Sequence, residues 1–359
     1  MDLARLPLAP KIVRAAAFAI AALALLELIA YFGWDESAAE RNAFGFSSHA
    51  GFSEDKSFVS ISNAASRQFW TQRYPRIAPA GTARVVLVGD SAARGPSLEG
   101  SLSEALRAEL ARRCGIHAEV WNLSSPGYGS RRKELVVEKA LEFHPDLIVY
   151  HAAVFTEYED SREWERYLEY HSWHPRHWVD QLPFLGRVKL AKVERLYWSW
   201  LPAEVRAASE EPPLQARIAA ITSKTDTRYW TPLMLANLDR TLEDIRQSGI
   251  PLLMLVHGFV DATTHKVSDA GLDQVLTDRY GARAGIALVS TREIFAARSD
   301  IGVLYRDSSH WTDSGRDLVA AGLGEPACRL LEERRPWPAE PAQRASCGTG
   351  CPMVKGKSR

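Results

Sequence analysis

The sequence predicts a three-layer α/β/α domain on a parallel sheet, carried behind one membrane-spanning helix. Three observations predict it. From residue 84 onward, short apolar and β-branched runs alternate with helical stretches, and strands separated by helices pair in parallel with both faces covered. The first run, R-V-V-L-V-G at 84–89, stops at a glycine and is followed by Asp90 and Ser91. Open α/β sheets present ligands at the carboxyl ends of their strands, so Ser91 is expected at the mouth of a crevice. Residues 15–34 form a nearly unbroken apolar stretch, and roughly 20 such residues span a bilayer's hydrocarbon core.

The bulk numbers leave function to local features. A chain of 359 residues holds one large domain or two small ones. Lys plus Arg and Asp plus Glu both number 44, so no global field points to nucleic acid as a partner.

Arg5, Lys11 and Arg14 precede the apolar stretch, and Asp35, Glu36 and Glu40 follow it. The positive-inside rule then keeps the amino terminus in the cytoplasm and exports everything downstream. Tyr31 and Trp34 suit the far interface. Glu27 interrupts the run, at a cost inside a bilayer. A cleaved signal peptide would need a small-x-small site after the apolar core, and none is evident. A soluble helix of this length would carry surface charge. Residues 1–34 therefore read as an uncleaved, single-pass signal anchor in the cytoplasmic (inner) membrane, with the rest extracytoplasmic, or periplasmic.

Residues 35–80 are mixed in character. The Pro and Gly density near 75–81 reads as an extended approach to the first strand. After strand 84–89, S-L-S-E at 101–104 is a capping box, and Gly115 stops the helix it opens. A strand at 118–123 leads to S-S-P-G-Y-G-S, then a helix at 131–143 and a strand at 147–151. A long aromatic segment, 157–230, reads as an insertion with helical character. Alternation resumes with helix 232–247, strand 252–256, helix 269–280, strand 286–290 and a last helix at 313–333. The α/β/α domain is thus expected over 81–333, with a disordered, Pro- and Gly-rich tail at 334–359. Cys114 and Cys328 fall on predicted helices and read as core residues. In the tail, Cys347 and Cys351 form either a small disulfide loop or two free thiols, and no further ligands make them a metal site.

A nucleophilic serine needs a base, a group to orient that base and donors facing the oxyanion. Ser91 lies where a nucleophile belongs. In Y-R-D-S-S-H-W-T at 305–312, Asp307 and His310 are three residues apart, which lets the carboxylate take the ring's Nδ1–H and leaves Nε2 free for a serine. In N-L-S-S-P-G-Y-G-S at 122–130, Gly127 can bring its N–H close to an oxyanion without steric cost, and the following helix adds its positive end. Taken singly, each block also reads as an ordinary turn or helix cap.

Together, G-D-S after the first strand, N-L-S-S-P-G-Y-G-S after the second and D-S-S-H before the last helix resemble the SGNH (GDSL) hydrolase superfamily, especially its membrane-anchored bacterial members. The resemblance covers about residues 81–334, with the aromatic segment inserted. It implies a flavodoxin-like α/β/α fold and esterase, lipase or carbohydrate deacetylase activity without a cofactor or metal. It implies Ser91 as nucleophile, His310 as base and Asp307 as its orienter, with the Ser91 and Gly127 N–H groups in the oxyanion hole. The family's Gly-x-Asn block, which supplies a third oxyanion donor, is missing. D-L-I-V-Y-H-A-A-V-F-T-E stands at 146–157, with Phe155 near the Asn position and Thr156 or His151 as substitute donors.

The insertion concentrates Trp164, Trp173, Trp178, Trp198 and Trp200. These read either as a glycan-facing lid or as a helical subdomain packed on the sheet edge or membrane interface. His171, His174 and His177 recur every three residues, but Pro175 breaks any helix there and no carboxylate or Cys completes a metal set.

The expected function is a membrane-anchored serine esterase or deacetylase acting on an O-acyl group of an envelope glycan or lipid. Two alternatives stand beside it. One is O-acyl transfer, because D-S-S-H-W is similar to the D-x-H-W of periplasmic polysaccharide O-acetyltransferase relatives. The other is a non-catalytic binding or scaffold domain that lost turnover with the asparagine.

Overall fold

The computed structural model describes residues 9–33, 43–64, 67–171, 182, 184–185, 227–260 and 266–334. Helix α1 (Ala9–Gly33) precedes a small antiparallel sheet of β1 (Phe52–Glu54), β2 (Phe58–Ile61) and β3 (Gln72–Pro75). The main domain follows with β4 (Ala83–Val88), α2 (Ser91–Arg94), α3 (Leu102–Cys114), β5 (Ala118–Asn122), α4 (Ser130–Leu141) and β6 (Leu147–Ala152). A 3-10 turn at Val154–Thr156 leads into α5 (Glu157–His171). The described residues continue with α6 (Thr227–Gln247), β7 (Leu252–Val256), and a short antiparallel pair of β8 (Phe259–Val260) and β9 (Val267–Ser268). It ends with α7 (Leu272–Tyr280), β10 (Ile286–Ser290), α8 (Thr291–Phe295), α9 (Ile301–Leu304) and α10 (Asp313–Arg334).

Five strands form one parallel sheet in the order β5-β4-β6-β7-β10. Every residue of β4, β6 and β7 is buried, as expected where unbroken apolar runs are covered on both faces. Side chains alternate between the faces. Val85 and Leu87 pack in the core that also holds Leu106 and Leu110 of α3 and Val319 and Leu323 of α10. Val86 and Val88 pack in the other, with Val136 of α4, Leu238 and Leu242 of α6, and Leu276 of α7. The result is a doubly wound α/β/α sandwich. From β4 the chain first runs outward to β5 and then returns across to β6, so the strand order reverses at β4. Its carboxyl end therefore opens a crevice, and Ser91 stands three residues past it.

Helix α3 begins and ends where its sequence signals lie. Ser101 Oγ accepts the Glu104 N–H at 3.4 Å, and Gly115 takes the left-handed conformation at φ 64°.

Several expectations are corrected. Within the expected approach 35–80, the described residues are not simply extended, because β1–β3 pack on the domain through Val59, Ile61 and Tyr74. Arg67, fully buried, ties this segment together by donating to the carbonyls of Ser48, Ala50 and Gly45. Alternation over strands of only three or four residues is too short to stand out in the sequence. Cys114 and Cys328 are not free core thiols. They form a disulfide with Cα atoms 6.1 Å apart, joining α3 to α10 on one face of the sheet. Their separation of 214 residues hides that pairing from any local reading. At the two ends of the expected insertion 157–230, Tyr158 of α5 packs against the domain core and Trp230 of α6 is buried in it.

Helix α5 also caps α4. Glu157 accepts the Ser130 N–H and Oγ–H, both at 2.7 Å, and Asp160 accepts the Arg131 N–H at 3.1 Å and pairs with the buried Arg132 guanidinium. The amino-terminal N–H groups of α4, expected to face an oxyanion, are therefore taken up by the Glu157 and Asp160 side chains.

Of the tryptophans in the predicted insertion, Trp164 packs against Phe46 and Tyr167 beneath the Arg131 guanidinium. Trp173, Trp178, Trp198 and Trp200 lie outside the described residues, as do His174, His177, Cys347, Cys351 and the tail. Ile12–Gly33 is long and apolar enough to cross a membrane, with mean hydropathy 2.2. Its Glu27 carboxylate accepts the backbone N–H groups of Phe184 and Leu185, each at 2.8 Å.

Candidate active site

Ser91 opens the four-residue turn α2 at the end of β4. Asp90 caps that turn, its Oδ1 accepting the Ala92 N–H at 2.9 Å. Gly89 is required here because a Cβ would meet the Ala93 Cβ at 2.6 Å. The hydroxyl is thus held on a tight strand-to-helix turn above the sheet.

His310 reaches it from a loop fixed on several sides. The Arg306 N–H donates to the His310 carbonyl, the Val260 N–H to the Ser308 carbonyl, and the buried Tyr305 hydroxyl to the Gly258 carbonyl, each at 2.8 Å. His310 Nε2 lies 2.8 Å from Ser91 Oγ. On the other side of the ring, Nδ1 lies 2.8 and 3.0 Å from the two Asp307 oxygens. Burial would raise the Asp307 carboxyl, but the backbone N–H groups of Ser309 and His310 and the His310 ring outweigh it and hold Asp307 below the usual carboxylate range. An ionised Asp307 selects the tautomer with the proton on Nδ1. That leaves the Nε2 lone pair to accept the Ser91 hydroxyl proton. The three residues line one cavity of about 320 Å³ together with Arg94, Gly95, Pro96 and Arg306.

Gly127 takes the left-handed conformation at φ 70°, which a side chain would resist. Its loop is drawn to the Ser91 turn by the Ser125 N–H, which donates to the Gly89 carbonyl at 3.1 Å. The Gly127 carbonyl accepts from Arg132 at 2.6 Å.

The two substitute donors face elsewhere. Thr156 is buried and its hydroxyl donates to the Ala153 carbonyl at 2.9 Å. His151, fully buried, lies with Nδ1 3.4 Å from Asp90 Oδ1 and Nε2 2.9 Å from His257 Nδ1. Thr156, His151 and Gly127 all lie outside the lining of the cavity around Ser91, but the Thr156 hydroxyl and the His151 ring are engaged by other groups. Phe155 is half-buried against the His257 ring, with centroids 5.3 Å apart.

Beneath the Ser91 turn lies a polar cluster that the sequence does not reveal: Asp90, Lys133, His151 and His257, all buried. Lys133 Nζ donates to the His151 carbonyl at 2.8 Å and lies 3.9 Å from Asp90 Oδ2. Burial alone would raise the Asp90 carboxyl, but His151, Lys133 and His257 around it hold it well below the usual range. Burial and the His151 ring push His257 down to about 3. Three adjacent strand ends and α4 contribute these groups, and no local spacing in the sequence links them.

No family model matches the chain, and no curated protein matches it. Among solved structures, the chain is similar to an acetyl xylan esterase at 14% identity, covering 68% of this chain and 98% of that one, with a TM-score of 0.40. It is also similar to a GDSL-like lipase from Bacteroides thetaiotaomicron at 14% identity, covering 68% and 87%, with a TM-score of 0.37. A lipase/acylhydrolase from Enterococcus faecalis matches at 11% identity over 69% and 96%, with a TM-score of 0.40.

Proposed function

We propose that the chain is a membrane-anchored, extracytoplasmic serine esterase or deacetylase of the SGNH type, cleaving an O-acyl ester of an envelope glycan or lipid. One observation carries this reading: the continuous Ser91–His310–Asp307 hydrogen-bond chain at the strand-order reversal. Ser91 Oγ attacks the ester carbonyl as His310 Nε2 takes its proton, and ionised Asp307 stabilises the imidazolium. His310 then returns the proton to the departing alcohol oxygen, leaving an acyl-enzyme. Water, deprotonated by His310, attacks that acyl group and releases the acid and free Ser91. The oxyanion is assigned to two donors, the N–H groups of Ser91 and Gly127. A missing third donor costs about 3–4 kcal/mol of transition-state stabilisation, so a slow enzyme is expected.

The anchor reading draws on the exposed apolar span Ile12–Gly33 and on the Cys114–Cys328 disulfide, since such bonds persist in oxidising, exported compartments. The test is labelling by a fluorophosphonate probe. Wild type should be labelled and folded Ser91→Ala should not. Equal absence of labelling in both would remove the catalytic reading and leave a binding domain. With an acylated donor, release of free acid indicates hydrolysis, whereas acyl moved to a sugar hydroxyl indicates a transferase.

A further inference from the structure

The cavity around Ser91 carries positive charge that the triad does not use. Arg94 and Arg306 both line it, and among the described residues neither guanidinium has a carboxylate partner. The one carboxylate in the lining, Asp307, is engaged by the His310 ring and two backbone N–H groups.

Arg94 is held in place from three directions. Its guanidinium carbon lies 3.5 Å from the centroid of the Trp70 ring, and its Nε–H donates to the Gln68 carbonyl. Its own carbonyl accepts the Trp70 Nε1–H at 3.0 Å and the Asn122 side-chain amide at 3.3 Å. The folded-back amino-terminal segment thus contributes Gln68 and Trp70 to a cradle whose product is an oriented arginine. A stacked guanidinium with Nε engaged keeps its terminal N–H groups in one plane, which matches a carboxylate or phosphate.

We infer that Arg94 and Arg306 form an oxyanion-recognising subsite beside Ser91, and that the substrate is an ester whose alcohol portion bears a carboxylate or phosphate. This deepens the proposed function and rests on it for the word substrate. The alcohol side follows from the chemistry. The leaving oxygen must receive its proton from His310, and Arg306 belongs to the same loop as Asp307 and His310. An acylated acidic sugar has this chemistry.

The test uses the full-length Ser91→Ala chain in detergent, so that ligands bind without turnover. Equilibrium dialysis compares 4-acetoxybenzoate and 4-acetoxyphenyl phosphate with their neutral isostere 4-acetoxybenzamide. At least one anion should bind about tenfold more tightly than the amide, the scale of one charge-assisted hydrogen bond. That preference should shrink to about twofold when Arg94→Gln or Arg306→Gln is added, and it should weaken as NaCl rises. Arg306 is exposed, so its variant reports on binding even if Arg94→Gln unfolds. Equal binding of anions and amide, or a preference that survives both substitutions, overturns the inference. If wild type hydrolyses no ester while the arginine-dependent preference persists, the subsite stands and the esterase reading falls.

Discussion

His310 engages two partners through opposite ring nitrogens, Asp307 at Nδ1 and Ser91 at Nε2, and its proposed catalytic role can be tested apart from a structural one. The ring is a third exposed and sits on a loop closed by its own backbone bonds. His310→Ala should therefore lower ester turnover by about 10⁴-fold or more while shifting the melting temperature little. A large fall in melting temperature would assign the ring to the fold instead. His257 should behave in the opposite way. Its ring is buried and held at about 3, against an ordinary 6.5, and it faces Asp90, Lys133, His151 and His310. The unfolded chain takes up a proton there below 6.5 and the folded chain does not, so this contribution to stability is complete above 6.5 and is lost as pH falls toward 3. Melting temperatures of wild type should drop more steeply between pH 7 and 4 than those of His257→Phe. Parallel curves would show that another group governs that limb.

Among the elements, α3 and α10 show what a long-range bond adds. Each has an apolar face against β4 and its neighbours, legible from the sequence, but the Cys114–Cys328 link closes a loop of 214 residues in separation. A disulfide typically contributes about 2–4 kcal/mol, chiefly by constraining the unfolded chain. The Cys114→Ala/Cys328→Ala variant should lose that amount in urea unfolding, and dithiothreitol should then have no further effect. If reductant leaves wild-type stability unchanged, the bond is absent from the native protein. The elements flanking the site tell a related story. Strands β4, β6 and β7 were readable because unbroken apolar runs have few other solutions. Strands β1–β3 were not, because three or four residues of alternation carry little signal, even though the segment joining β2 to β3 braces Arg94 through Gln68 and Trp70.

For the whole molecule, the proposed topology makes a direct prediction. Residues 1–14 should be shielded and residues beyond 34 accessible when protease is added to spheroplasts. Removing residues 1–33 should move the chain from the membrane to the soluble fraction. Digestion of only the amino-terminal tip would reverse the assigned orientation. The same helix gives Glu27 a partner, since its carboxylate receives two backbone N–H groups from residues 184 and 185. A carboxylate that looked like a blemish in an apolar span is thereby hydrogen-bonded.

The sequence by itself determined the doubly wound sheet, the apolar span, and the three short blocks holding Ser91, Gly127 and Asp307 with His310. All of these depend on near neighbours in the chain: periodicity, caps, and a carboxylate three residues from an imidazole. Tertiary structure decided what lies between distant segments. It spent Thr156 on the Ala153 carbonyl and His151 on Asp90 and His257, and it turned the α4 amino terminus toward Glu157 and Asp160. It also brought Trp70 and Gln68 against Arg94. Hydrogen bonds to buried polar groups must be made somewhere, and which partner makes them depends on packing that no stretch of sequence contains.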